Sequence, residues 1–528
     1  MDFRKRHLLM PTALCALLFR IDPAQAQLTD LTQTPNPENA GIVKSLQQQI
    51  GAGVGNVMTP GSSSFIVARD PARAIRRGRQ LFQRKFTDAQ GFGPRAGDGV
   101  GSIATNAAIG AGMIDSCAGC HGRPRGSAGF GGDVVTRPDS RDAPHLFGLG
   151  LQEMLGDEMT GELRDQRTNA ISAARSSGQV VTRTLSTKGV SFGQIRANPN
   201  GTVDASGVVG VDADLRVKPF FAQGGTTSIR EFVVGAFNDE MGLQAVDPLT
   251  AAAAAGQRVV TPTGMVLNGA TDTVKRSLVT TISDDQDGDG VVNEIPTSLV
   301  DFMEFYLFNY FKPGQYQHTN TGQLGQNRLV QLGCTACHIP NMVITRDRRV
   351  ADVETNYDPQ RGIFNGLFAV ASLQVFENDD GSGFPTIKVP NRNSFMVRNF
   401  YADLKRHDVG PAFYERNFDG TLQRQFMTEP LWGVGTSAPY GHDGRSVNLR
   451  EVILRHGGEA LASRNSFAAL SETQQDEVLK FLNELVLFPP DDTASNLDPG
   501  DRNNPTFPQR GHGSIRLPAI FNNPAELE

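Results

Sequence analysis

A mainly α chain of two similar units, with a small β-containing insertion in its N-terminal half, is the fold class the sequence predicts. Three observations carry it. Apolar stretches at helical spacing with cap signals recur from about residue 65 to 490. The pattern Cys-x-x-Cys-His stands at 117–121 and again at 334–338, a weak internal repeat. Short β-prone runs with turn signals such as Pro-Asn-Gly cluster after residue 150, inside an insertion at about 150–300. The 528 residues suffice for two or three domains with real cores.

The first 26 residues read as an export signal: RKRH at 4–7 is basic, LLMPTALCALLF at 8–19 apolar, and AQA at 24–26 a small-residue cleavage site. The apolar run is too short for a membrane span. A periplasmic or secreted protein is expected. Residues 27–64, rich in Gln, Gly, Pro and Ser, form a leader arm. The first unit, 65–324, opens with a helix near Asp70 and Pro71, aspartate as N-cap and proline at the first turn. Ile75, Gly78, Leu81, Phe82 and Phe86 form its buried side. A glycine-rich stretch leads to SCAGCHGRPRG, the β insertion follows, and helical character returns at SIREFVVGAFNDEMGLQ. An acidic loop at 284–294 precedes an aromatic helix with Phe302, Phe305, Tyr306 and Phe308 as core.

The second unit, 325–490, begins with QNRLVQLGCTACHIPN. Its last helix starts at a Ser471–Gln474 capping box and buries Val478, Phe481, Leu482 and Leu485. Before it, Asn448 and Glu451 form another capping box, and Leu449, Val452, Ile453 and His456 share one helical face until Gly457 and Gly458. A histidine on that stripe is either a satisfied core residue or a ligand. Residues 491–528 form an irregular tail.

The chain carries 50 Lys+Arg against 56 Asp+Glu. Without residues 1–26 it loses four basic and two acidic groups, leaving 46 against 54. A mildly acidic surface without basic clusters excludes a typical nucleic-acid binder and suits a small basic redox partner. Cys15 leaves with the signal, so the remaining four cysteines are Cys117, Cys120, Cys334 and Cys337. Zinc, disulfides and haem attachment all use such pairs. Only haem attachment requires the adjacent histidine, whose imidazole becomes the proximal iron ligand while the thiols add to the vinyl groups. Two covalently attached c-type haems are therefore expected, with His121 and His338 proximal.

At these motifs the sequence resembles the bacterial di-haem cytochrome c peroxidase superfamily, and more closely its di-haem oxidoreductase branch, often labelled thiol oxidoreductases or peroxidases. The rubber oxygenases are more distant relatives. RDAPHLFGLGLQEM, SIREFVVGAFNDEMGLQ, DQDGDGVVNEIP, RNFYADLKRHDVGP and PLWGVGTSAPYGHDGRSVNLREVILRHGGEA carry the likeness. The resemblance implies two cytochrome c-like haem domains. It also implies a distal ligand 14 residues after the histidine of PYGHDG, which from His442 falls on His456. Such a bis-histidine centre is a low-spin relay. Typical relatives carry a removable distal histidine before the segment matching RDAPHLFG; residues 122–140 hold none here. An N-terminal haem open on its distal side follows, and gating by reduction loses its ligand. His145, inside the segment, is an alternative ligand or a haem-edge residue.

Peroxide cleavage needs an acid–base group above the iron, for which Glu231 and Glu240 are the candidates; either is alternatively a structural carboxylate. His407 and His442 lie in family motifs near the C-terminal haem, for propionate contacts or second-layer hydrogen bonds. Trp432, the sole tryptophan, reads as a packed aromatic or an electron-transfer residue. Asp285, Asp287 and Asp289 at loop positions 1, 3 and 5, with Glu294 replacing the usual last ligand, suggest one structural calcium ion, or else a solvated acidic turn. His318 and His512 sit in polar loops. The expected function is a peroxidase-like oxidoreductase fed by a small c-type cytochrome or cupredoxin, with electrons entering at the C-terminal haem and passing to the N-terminal haem, and hydrogen peroxide as oxidant. A non-enzymatic electron-transfer cytochrome and a haem oxygenase acting on an organic substrate are the alternatives.

Overall fold

The computed structural model describes residues 50–86, 90, 114–122, 128, 133–134, 141–275, 281, 283, 285, 292, 294–311, 319–357, 367–417 and 420–485. The export signal, the leader arm up to 49, the tail, Asp287, Asp289, His318 and His512 lie outside them.

In the first unit, α1 (Ser63–Arg69) and α2 (Pro71–Gln83) are joined at Asp70, whose side chain accepts from Arg73 N at 3.2 Å and caps α2. Ile75, Gly78, Leu81 and Phe82 are buried, as is Phe86 beyond the helix end. Helix α7 (Thr297–Asn309) crosses α2 at Gly78, where a Cβ would stand 2.2 Å from the Phe302 carbonyl oxygen. That approach leaves room for glycine alone. Short α3 (Cys117–His121) holds the first cysteine motif.

Helix α4 (Leu149–Ser177) runs 29 residues through the region expected to hold β structure. Its ends lack polar caps: Gly148 and Gly178 both adopt left-handed backbone, φ 73° and 65°. Its first turns, Leu149–Gly156, are buried all round, so no one-sided stripe marks them. The β insertion itself is a three-stranded antiparallel sheet, β1 (Val181–Thr187), β2 (Val190–Ala197) and β3 (Val203–Asp204). Helices α5 (Ile229–Met241) and α6 (Pro248–Ala254) follow. One buried guanidinium ties α5 to α7 and the α6 cap: Arg230 bonds Asp247 at 2.6 Å, Glu304 at 2.8 Å and Asp301 at 2.9 Å. Buried charges survive only when paired in this way.

The second unit packs α8 (Asn320–Gln331) against α11 (Glu472–Asn483), whose Ser471–Gln474 capping box is reciprocal. Helices α9 (Leu449–Arg455) and α10 (Leu461–Ala468) complete its helical part. Between the second cysteine motif and α9, the described residues from 342 to 427 include short strands paired in small two-stranded sheets.

The mainly α expectation is therefore corrected. Helix occupies 39% and strand 17% of the described residues, the strands scattered over many small sheets. The miss lies chiefly at residues 342–427. Strands of two to seven residues there are too short to show alternation, and packing on the larger core holds them where propensity does not. One hairpin, β4 (Val375–Asn378) with β5 (Ile387–Pro390), is tied back to α1. Arg69, its side chain fully buried, bonds Asp380 and the Pro385 carbonyl while lying between the Phe65 and Phe384 rings.

Candidate functional site

Ser116 caps the single turn of α3, its hydroxyl accepting from Gly119 N at 3.1 Å. Cys117, Cys120 and His121 then fall at i, i+3 and i+4, on one side of that turn. The His121 Nδ1 donates to the Pro144 carbonyl at 2.7 Å. Because a carbonyl only accepts, the proton sits on Nδ1 and Nε2 keeps its lone pair. Burial pushes His121 down to about 4, so the ring is neutral at ordinary pH.

The second motif repeats this construction with a tighter turn. Gly333, at φ 79°, leads into a 3-10 turn at Cys334–Ala336, and His338 N donates to the Cys334 carbonyl at 3.0 Å. The His338 Nδ1 donates to the Tyr401 carbonyl at 2.9 Å. Burial first, and then the charge of nearby His456, push His338 down to about 4. Helix α9 ends one residue before His456, which is its C-cap and not a member of the helical stripe. Glu451 bonds Val447 N, so the Asn448 cap is not reciprocal. The His456 Nδ1 donates to the Val452 carbonyl at 2.7 Å, and burial lowers its pKa. Phe413 packs against its ring at 5.3 Å between centroids.

This donor set fits haem better than the other uses of paired cysteines. All four cysteines are free of disulfides. Burial pushes the Cys117 and Cys120 thiols up to about 12 and that of Cys334 up to about 11, away from the thiolate that thiol exchange uses. Cys337, Asp403 and His407 do lie at metal-ligand separations. His407, however, spends both nitrogens on carboxylates: Nε2 on Asp403 and Nδ1 on Glu459, each at 2.8 Å. Burial alone would lower it, but hydrogen bonding to Asp403 and Cys337 outweighs burial and holds it up at about 11. In this arrangement neither ring nitrogen is left over for a metal. The group instead sets a positive charge beside Cys337. Trp432 Nε1 is a buried donor with no acceptor among the described residues, as a group awaiting a carboxylate such as a propionate would be.

The other sequence candidates are placed differently from one another. Glu231, near the start of α5, accepts from Thr227 N at 3.0 Å and Lys275 N at 2.8 Å, a backbone-fastening role. Glu240, at the far end of the helix, lies close enough to Cys120 for its charge to raise that thiol. His442 stacks on Phe426 at 4.0 Å, with buried Glu415 3.8 Å from its Nε2. Its carbonyl accepts from Asp142 N, tying PYGHDG to the segment that holds His121. The His145 Nε2 donates to the Trp432 carbonyl at 2.9 Å. Of the acidic loop, Asp285 is half-buried, and buried Glu294 accepts from Gln244 N. Sequence reading missed Asp403, Glu459 and Glu415. Asp403 stands four residues before His407, and that spacing is the one signal that marks it.

Residues 372–485 match a family model described as "Di-haem oxidoreductase, putative peroxidase". The segment includes His407, His442 and His456, and neither Cys-x-x-Cys-His motif. The match supports the di-haem oxidoreductase superfamily, whose description implies haem cofactors. No curated protein matches the chain.

Proposed function

We propose that this chain is an exported di-haem c-type cytochrome with peroxidase-like oxidoreductase activity. One observation carries the reading. His121, His338 and His456 each give Nδ1–H to a backbone carbonyl, which fixes the tautomer and leaves Nε2 as the ligand atom. Metal-bound histidines are held in this way. Cys117, Cys120 and His121 would hold one haem; Cys334, Cys337 and His338 would hold the other, with His456 on its sixth position. Haem supplies one-electron transfer and the activation of a small oxidant.

The chain's own residues divide the labour. His456 closes the C-terminal centre, which suits it to receive electrons from a small c-type cytochrome or cupredoxin. The N-terminal centre is the place for hydrogen peroxide, with Glu240 as the nearest candidate to move a proton there. Asp285, Asp287, Asp289 and Glu294 would take a structural calcium ion.

EPR of the oxidised protein, with a haem count on the same sample, tests this reading. One high-spin and one low-spin ferric signal, the latter alone altered by His456→Ala, is the expected result. Two low-spin signals would favour a pure electron-transfer cytochrome. A chain without covalent haem would overturn the proposal.

A further inference from the structure

The two proximal histidines are joined by a continuous set of hydrogen bonds and short backbone spans. His121 bonds the Pro144 carbonyl at 2.7 Å. The next residue, His145, bonds the Trp432 carbonyl at 2.9 Å. Leu431, just before Trp432, gives its N–H to the Phe400 carbonyl at 3.1 Å. Tyr401, the next residue, holds His338 through its own carbonyl at 2.9 Å. Ring contact doubles the middle of the connection: Phe400 meets Trp432 edge-on at 5.1 Å. Every joint ends on a backbone carbonyl. Apart from the two proximal histidines themselves, only His145 enters this connection by a side chain that substitution can remove.

Packing makes this joint stiff. Trp432 is 1% exposed, and a Cβ at Gly148 would stand 2.7 Å from its ring. The buried Trp432 presents its carbonyl to His145 from a packed position, and Pro144 is joined to His145 through the peptide bond. The His145 Nδ1 is buried and without a partner among the described residues, so Trp432 is the ring's one polar anchor among them. With Nε2 committed to that carbonyl, and on the segment that grips His121 from behind, His145 is poorly placed to be an iron ligand itself.

We propose that His145 is a positioning residue that couples the two haem centres through the Trp432 carbonyl. It holds the Pro144 carbonyl, and with it the His121 ring, in a place set by the segment that also holds His338. A change of oxidation state at the C-terminal centre that moves the Tyr401 segment is then felt at the N-terminal iron. This rests on the di-haem reading above.

The experiment uses the haem-loaded full chain. The EPR signal and midpoint potential of the N-terminal centre are recorded with the C-terminal centre oxidised and then reduced, in wild type, His145→Leu, His145→Gln and Trp432→Phe. The wild type is expected to show a difference between the two conditions. His145→Leu should lose roughly half or more of it. His145→Gln, which can still donate to the carbonyl, should restore it, and Trp432→Phe, which keeps the carbonyl, should retain most of it. If the leucine variant does not accumulate, His145→Asn, too short to reach, replaces it. No difference in wild type, an unchanged leucine or asparagine variant, or a glutamine variant no better than that variant would overturn the coupling. The haem count separates the two claims: fewer than two covalent haems in wild type removes the di-haem reading, whereas two haems with no coupling removes this inference alone.

Discussion

The Nε2 atom of His407 lies 2.8 Å from a carboxylate oxygen of Asp403, in a buried setting beside Cys337. Ion pairing keeps that imidazole protonated well above its ordinary range. A fixed positive charge next to the C-terminal centre favours the reduced state of whatever iron sits there. His407→Gln should therefore lower the midpoint potential of the C-terminal centre, by tens of millivolts for a unit charge at roughly 10 Å in an effective dielectric of about 20. Spectroelectrochemistry reads the shift; an unchanged or raised potential would show that Asp403 or Glu459 takes up a proton when the imidazolium is removed, leaving the net charge as it was.

The two ends of α5 predict opposite outcomes for two conservative changes. Glu240→Gln should cut peroxide turnover by about 100-fold or more with little change in thermal midpoint, as loss of a proton-transfer group does. Glu231→Gln should leave turnover within a few fold and lower stability by about 1–2 kcal/mol, because a charged acceptor of two backbone N–H groups is weakened. Steady-state kinetics with paired thermal melts decide it. Equal turnover loss in both variants would remove Glu240 from the site.

Helix α4 offers an internal control for steric crowding. Gly148 and Gly178 have similar left-handed backbone, yet only Gly148 faces a ring; a Cβ at Gly178 meets nothing within 4 Å. Gly178→Ala should cost only the left-handed penalty, about 1 kcal/mol. Gly148→Ala adds overpacking against Trp432, about 1–3 kcal/mol more. Urea melts compare the two, and equal losses would mean that the ring gives way freely.

Glu153 sets a pH dependence of stability. It is fully buried, and burial raises it from an ordinary 4.5 to about 8, although Arg348 and the Ile229 N–H pull the other way. With the folded value above the unfolded one, its stabilising contribution is complete below about 4.5 and is lost as pH rises through 8. The slope cannot exceed about 1.4 kcal/mol per pH unit for one proton. Urea midpoints should fall between pH 6 and pH 9, and Glu153→Gln should flatten that fall. A variant with the wild-type slope would place the titration elsewhere.

Local signals carried much of this fold into the sequence. Asp70 before Pro71, Ser228 before α5 and the Ser471–Gln474 pair all mark helix starts by chemistry that acts over three residues. Helix α4 was invisible because glycines in place of polar caps bound it and its first turns are buried on every side. The strands at 342–427 were invisible because their order comes from docking. At the site, adjacent residues declared the cysteine motifs. The carbonyls of Pro144, Tyr401 and Val452 could not be found that way, since any residue type supplies a carbonyl and only the fold aims it. His456 was legible in its position but not in its setting: it closes the helix, where an intact stripe would have kept it inside.

The clasp of Arg69 between Phe65 and Phe384 bears on how the chain must be made. Its ion pair joins residues 311 positions apart; Ser63 to Asp301 spans 238, and His145 to Trp432 spans 287. Closing loops of such length is entropically costly, and chains rich in distant contacts fold slowly. The N-terminal unit therefore cannot be finished by its own residues, because its last braces arrive with the hairpin at 375–390 and the segment around 432. Both Cys-x-x-Cys-His segments are synthesised before that closure completes. The interval in which the chain is long, open and reachable at both motifs is built into the order of its contacts.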